Sequence, residues 1–149
     1  MTDKKTNFLI DYNLHTINAM RNVVKSVLDN IIDNTLPENH HFYITFNTNF
    51  KSVNIPINLK KKYPDEMTIV IENSFWELIV KDTFFSITLS FNNIKNNLII
   101  PYGSLLVFSD PYANFHLKFP KLEYNEEIIG KDKKNQDNIV NITDFKKDR

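Results

Sequence analysis

The sequence predicts an α+β protein that is mainly β, in which an N-terminal helix packs on a strongly bent antiparallel sheet or barrel. Three observations support this class. Apolar and polar residues alternate along residues 85–91, which is the period of a half-buried strand. Residues 17–31 instead carry apolar side chains at spacings of three and four, which is the period of a helix. After Phe119 the composition becomes polar and charged, which predicts a disordered tail.

The central stretch, Thr83–Phe108, is predicted to be an antiparallel hairpin followed by one more strand. Phe85, Ile87, Leu89 and Phe91 fall on one parity, so they should face the core while Ser86, Thr88 and Ser90 face away. Four asparagines between residues 92 and 97 predict a polar turn. Pro101 should end the returning strand because proline has no N–H to donate to the ladder.

The N-terminal helix is predicted from Asp11 onward, with Asp11 or Asn13 as its cap. Its apolar stripe consists of Ile17, Met20, Val24, Val27, Leu28 and Ile31. Ala19, Val23 and Ile32 make the stripe wider than one packing face needs. This width is explained either by a second copy of the helix or by deep burial of the helix in its own domain. We favour a dimer, with Leu14, Ala19, Val23 and Val27 at the interface.

Further short elements are predicted around this centre. His40–Asn47 is dense in aromatic and β-branched residues and should be a strand, and Ile57–Lys62 should be a helical turn. Met67–Ile71 and Phe75–Val80 are predicted to pair as a hairpin around residues 72–74. Tyr112–Phe119 should add an edge strand.

Composition excludes several classes of function. Eighteen basic and eighteen acidic residues give a formal net charge of zero, so a general affinity for nucleic acid or anionic membranes is not implied. The absence of cysteine excludes disulfides and thiolate zinc sites. No apolar run approaches the ~20 residues of a membrane span, and no secretory signal is recognisable, so a cytoplasmic protein is expected.

Catalytic and metal-binding patterns are not found, so no cofactor or metal is expected. The four histidines are not spaced as metal ligands, and no serine lies in a nucleophile elbow. Binding is therefore the favoured type of function. The polar parity of the central strand, with Thr88 and Ser90, and the strand from His40 to Phe46 would suit an extended peptide. The alternative is an ordinary sheet face covered by the helix.

The chain divides into a domain at residues 1–120, a linker at residues 121–138 and a tail at residues 139–149. The linker is mostly polar and charged, whereas the tail contains apolar residues again. A short apolar patch after such a linker is typical of a docking peptide. It is equally compatible with one more strand packed on the domain.

Several blocks of the sequence resemble the SspB family, the adaptors that deliver ssrA-tagged proteins to the ClpXP protease. They are His40–Phe42, Lys62–Val70, Phe75–Val80, Leu89–Asn92 and Pro101–Tyr102, in the order and spacing of that family. The resemblance covers Asp11–Phe119 and the last ten residues, and it is closest to the branch with a long N-terminal helix. The chain ends Lys-Lys-Asp-Arg, which departs from the tail motif of the family.

This resemblance implies an Sm-like bent sheet, a homodimer, no enzymatic activity and a groove for the ssrA tag. The implied groove residues are Phe42, Tyr43, Ile44, Thr45, Phe46, Thr88, Leu89, Ser90 and Phe91. A tail that docks on the N-terminal domain of ClpX would use Ile139, Val140, Ile142, Phe145 and Lys146. The alternative function is an Sm-like nucleic-acid-binding module, against which the zero net charge and the mere two arginines argue.

Overall fold

A computed structural model describes residues 10–31 and 36–122 of the chain. An N-terminal helix, α1 (Tyr12–Asp29), precedes seven strands and one short helix. These elements are β1 (Phe42–Asn47), α2 (Ile57–Lys62), β2 (Glu66–Ile71), β3 (Trp76–Val80), β4 (Phe84–Phe91), β5 (Ile94–Pro101), β6 (Leu105–Asp110) and β7 (Phe115–Lys118). The predicted α+β, mainly β class is confirmed.

The strands form two antiparallel sheets. The first has the order β2-β1-β6-β7 and the second the order β3-β4-β5. A single bridge between Asn54 and Ile99 connects the loop after β1 to β5. Both sheets and α1 contribute side chains to one apolar core, in which Phe46, Phe85 and Phe108 are the largest fully buried residues. Burial of such aromatic side chains is the main source of stability for a chain of this composition.

α1 begins and packs as its pattern predicts. Asp11 is the N-cap, and its carboxylate accepts a hydrogen bond from the backbone N–H of Leu14 at 3.0 Å. Val24 and Leu28 are fully buried, and Ile31 follows them into the core. Arg21 is also buried on this face, which the apolar pattern did not predict.

β4 and β5 form the predicted hairpin, with a shorter turn. Asn92 and Asn93 have φ angles of 54° and 68°, and they alone connect the strands in a two-residue turn. Asn96 and Asn97 belong to β5 and were wrongly assigned to the turn. Phe85, Ile87 and Leu89 face the core as predicted, and Phe91 is partly buried against it. Ser86 and Thr88, predicted to face away, are nevertheless buried.

The hairpin predicted between residues 67–71 and 75–80 is not formed. β2 pairs with β1, whereas β3 pairs with β4 in the other sheet. Phe75 and Leu78 are the buried residues of this segment, a spacing of three that breaks the strand period. Glu77 has a φ of 54°, and the β3–β4 register shifts between Trp76 and Ile79. This bulge lies within β3, where the strand already pairs with β4 of the second sheet.

Gly103, in the connection between β5 and β6, lies against the ring of Phe50, and a substitution there would test this contact. A Cβ at Gly103 would lie 2.8 Å from Cζ of the buried Phe50 ring. We expect Gly103→Ala to lower the free energy of unfolding by about 1–3 kcal/mol, measured by urea denaturation. In a Phe50→Leu background the cost of Gly103→Ala should shrink. An equal cost in both backgrounds would show that the Phe50 contact is not the cause.

Candidate functional site

Among the described residues, two strand edges without backbone partners face a common cleft. β2 lies at the end of its sheet, and β1 is its only partner in this part of the chain. β4 pairs with β5 along its whole length, but with β3 only as far as Thr88. No strand of the described ranges 10–31 and 36–122 therefore lies beside one backbone edge of residues 89–91. Both edges present N–H and C=O groups that an additional strand can pair with.

The cleft between these edges has a volume of about 460 Å³. On one side it is lined by residues of β2 and of the following turn, including Thr68, Val70 and Glu72. On the other side it is lined by Leu89, Ser90 and Phe91 of β4. Ile69 and Leu89 are buried, so the apolar core forms the floor. Exposed backbone edges above alternate side chains are the features that an extended peptide requires.

A second cavity, of about 360 Å³, lies on the other side of Ser90 and Phe91. Its wall includes Asn58 and Lys62 of α2 and the adjacent Tyr63. The Lys62 ammonium lies 5.6 Å from the centroid of the Tyr63 ring. Because both cavities share Ser90 and Phe91, this end of β4 is accessible from two sides.

Charged groups are present at the rims of the two cavities. Glu72 lines the first cavity, and its carboxylate lies 3.0 Å from Nε2 of His41. Lys62 lines the second cavity. An occupant that extends through both cavities would therefore meet an acidic group at one end and a basic group at the other.

β1 does not line the cleft, although it was predicted to face β4. It pairs with β2 on one side and with β6 on the other, so neither of its edges is free. Phe42, Ile44 and Phe46 point into the core, whereas Tyr43 and Thr45 are at least partly accessible. Thr45 contacts the cleft only indirectly, through a 2.7 Å hydrogen bond between its hydroxyl and that of Thr68.

Of the predicted residues on β4, three line the cleft and one does not. Leu89, Ser90 and Phe91 do, whereas Thr88 is buried in a polar network. The Thr88 hydroxyl donates to Oε1 of Glu77 at 2.6 Å and accepts from Nδ2 of Asn97 at 3.0 Å. The β2 side of the cleft was missed, because the predicted hairpin with residues 75–80 would have paired that edge.

The residues predicted for a dimer interface divide between two flanks of α1. Ala19, Val23 and Val27 recur every four residues and so share one flank. Leu14 lies nine residues, or two and a half turns, before Val23 and therefore on the opposite flank. Val23 is 38% exposed. Together with Val27, Phe42, Phe108 and Phe115 it lines an apolar cavity of about 340 Å³.

The predictions for the tail and for most of the linker concern residues that the structure does not describe. The tail residues Ile139, Val140, Ile142, Phe145 and Lys146 lie outside the described residues, as does the predicted linker beyond Leu122. Within the described residues, no group of three histidine, aspartate or glutamate side chains is arranged to hold a metal ion. No helix in the same part of the chain is long and apolar enough to cross a membrane.

Comparison with models of known protein families gives a match. The family model described as SspB, stringent starvation protein B, matches residues 15–148. This match includes the cleft, α1 from His15 onward and nearly all of the region after Leu122. A search of curated proteins finds no match.

Proposed function

The chain belongs to the SspB family, which consists of ClpXP protease adaptors rather than enzymes, and we propose that it captures ssrA-tagged proteins for this protease. The observation that supports this proposal is the cleft between the unpaired edges of β2 and β4. A tag in extended conformation would lie there as an additional strand. It would exchange backbone hydrogen bonds with both edges.

Side chains around the cleft would supply selectivity. Residues of an extended strand point alternately to opposite faces, so every second tag residue would face the apolar floor at Ile69 and Leu89. The intervening residues would face outward, toward solvent and the rim. Tag binding makes and breaks no covalent bond in this proposal, and its gain comes from backbone pairing and apolar burial.

Delivery would require a second contact, between the tail and the N-terminal domain of ClpX. The proposed contact residues are Ile139, Val140, Ile142, Phe145 and Lys146, connected to the domain through residues 121–138. Tethering converts the second binding event into an intramolecular one, so two weak contacts reinforce each other. A dimer would carry two tails and strengthen this effect.

Filling the cleft should weaken tag binding. Ser90 is exposed and lines both cavities, so Ser90→Phe should occupy the peptide path without disturbing the core. We expect affinity for a labelled ssrA peptide to fall tenfold or more, about 1.4 kcal/mol, in a fluorescence polarisation titration. Lys118→Phe is the matched control, because Lys118 is exposed on β7 at the opposite end of the sheet from β2. Equal affinity for the two variants would place the tag elsewhere.

Removing the apolar anchors of the tail should separate capture from delivery. We expect the full-length double variant Ile142→Ala, Phe145→Ala to bind the tag peptide normally. The adaptor concentration needed for half-maximal ClpXP degradation of a tagged substrate should rise on the order of 10-fold or more, because the tether is lost. Lys147→Ala, next to the proposed motif, should leave degradation unchanged. Normal stimulation by the double variant would disprove the role of these two residues.

A charge on the Ala19–Val23–Val27 flank should separate the proposed dimer. In Val23→Asp a carboxylate would be buried in the interface without a partner, so sedimentation equilibrium should report monomers at micromolar concentration. Leu14→Asp introduces the same charge on the opposite flank, at a residue that is 50% exposed, and should leave the dimer intact. Dissociation by Leu14→Asp alone would assign the interface to the other flank.

A further inference from the structure

A separate cleft lies between α1, the β4–β5 sheet and the last described residues. Its volume is about 560 Å³, and its wall includes Asn18, Arg21, Thr83, Tyr102 and Leu122. It lies on the flank of α1 that faces away from Val23, and it shares no lining residue with the cleft between β2 and β4. The proposed capture of a tag therefore does not use it.

Arg21 is the unusual residue of this wall, because its guanidinium is buried without an acidic partner among the described residues. Arg21 is only 7% exposed, and its Nε has no hydrogen-bond partner. Nη2 donates one long hydrogen bond, of 3.4 Å, to the carbonyl of Pro120. Cζ lies 5.1 Å from the centroid of the Phe119 ring. These contacts hold the end of the described chain but leave a hydrogen-bonding edge of the guanidinium underused.

Asp82, the acidic residue in the described wall of this cleft, does not neutralise Arg21. Asp82 lines the cleft, but its side chain is fully exposed, and its carboxylate lies 3.8 Å from Nζ of Lys25. Burial lowers the pKa of Arg21 because the charged guanidinium loses hydration. The pKa of Tyr102, on the same wall, is raised by burial and by the charges of Asp29 and Asp82, so its phenol stays protonated and donates to the carbonyl of Lys81.

The geometry of the guanidinium indicates what would complete the site. Nε and Nη2 form one edge of a planar group, and two N–H bonds from one edge match the two oxygens of a carboxylate. A partner that supplies both hydrogen bonds offsets part of the cost of burying the charge. A carboxylate that approaches beside Pro120 would therefore complete the site.

The chain itself supplies carboxylates at this point. Leu122 is the last described residue and lies in the wall of the cleft. Glu123 follows it directly, and Glu126 and Glu127 come within the next five residues. We infer that the Arg21 cleft is a docking site for the acidic segment 123–127 of the same chain, which places one of its carboxylates on the Nε–Nη2 edge of Arg21.

Docking would set where the connection to the tail begins. This consequence rests on the proposed adaptor function, whereas the docking itself does not. Holding five residues against the domain removes up to about 17 Å from the reach of each tail, at ~3.4 Å per extended residue. The shorter connection changes the effective concentration of the tail at its partner. Arg21 would then be a positioning residue for delivery, without touching tag or protease.

Hydrogen–deuterium exchange on the full-length protein, without tag or ClpX, tests the docking. Replacing Glu123, Glu126 and Glu127 together by glutamine should accelerate exchange of the amides of residues 121–127 at least threefold, with β4 and β5 unchanged. Arg21→Met should have the same effect. Lys25→Met is the control, since it removes a cation from the same side of α1 and should leave exchange unchanged. Because neither tag nor protease is present, the outcome is independent of the proposed function.

Two outcomes would overturn the inference. Exchange of residues 121–127 that is the same in the triple glutamine variant and in the wild type would show that these carboxylates do not dock. The triple variant leaves Arg21 and every described residue unchanged, so this result stands even if Arg21→Met fails to fold. Loss of tag affinity in Arg21→Met, with unchanged exchange in the triple variant, would instead assign the cleft to a carboxylate of the incoming peptide.

Discussion

The unpaired edge of β2 is the constraint on which the candidate site depends. A hairpin between β2 and β3 would have closed this edge. Instead, the chain leaves the first sheet after Ile71 and pairs with β4 in the second sheet from Trp76 onward. Phe75, just before β3, and Leu78 within it bury their side chains three residues apart around Glu77, which has a left-handed backbone. An exposed strand edge invites aggregation unless polar or charged side chains protect it. Glu66, Thr68 and Glu72 along and after β2 supply that protection while leaving the backbone accessible.

Local periodicity was sufficient to predict much of the fold. The helical spacing in α1, the cap at Asp11 and the inward parity of Phe85, Ile87 and Leu89 all follow from interactions between residues close in sequence. The family followed from short blocks in a fixed order, and the family model confirms it. Helix geometry alone also places Leu14 and Val23 on opposite flanks of α1, although the predicted dimer interface includes both residues.

The partners of each strand could not be predicted in the same way, because pairing between distant segments depends on the whole core. Alternation in β2 indicates a strand but not whether β1 or β3 lies beside it. The burial of Thr88 illustrates the same point, since Glu77 and Asn97 of the neighbouring strands satisfy its hydroxyl and the local pattern does not reveal these partners. The buried Arg21 is likewise invisible to a pattern that assigns charged residues to solvent.

The proposed adaptor makes three contacts: with a tag, with a second copy of itself and, through its tail, with the protease. Such an adaptor needs each contact to be separable in energy from the other two. Here the lining residues of the β2–β4 cleft, of the apolar cavity beside Val23 and of the Arg21 cleft have no member in common. Substitutions at sites that share no partners have additive effects, so one contact can be removed without loss of the others. α1 is the exception, since Val23 and Arg21 are carried by one helix, two residues apart and on different flanks. In the proposed dimer, a shift of α1 would therefore connect the Val23 flank with the Arg21 cleft, and through the proposed docking of residues 123–127 with the start of the tail.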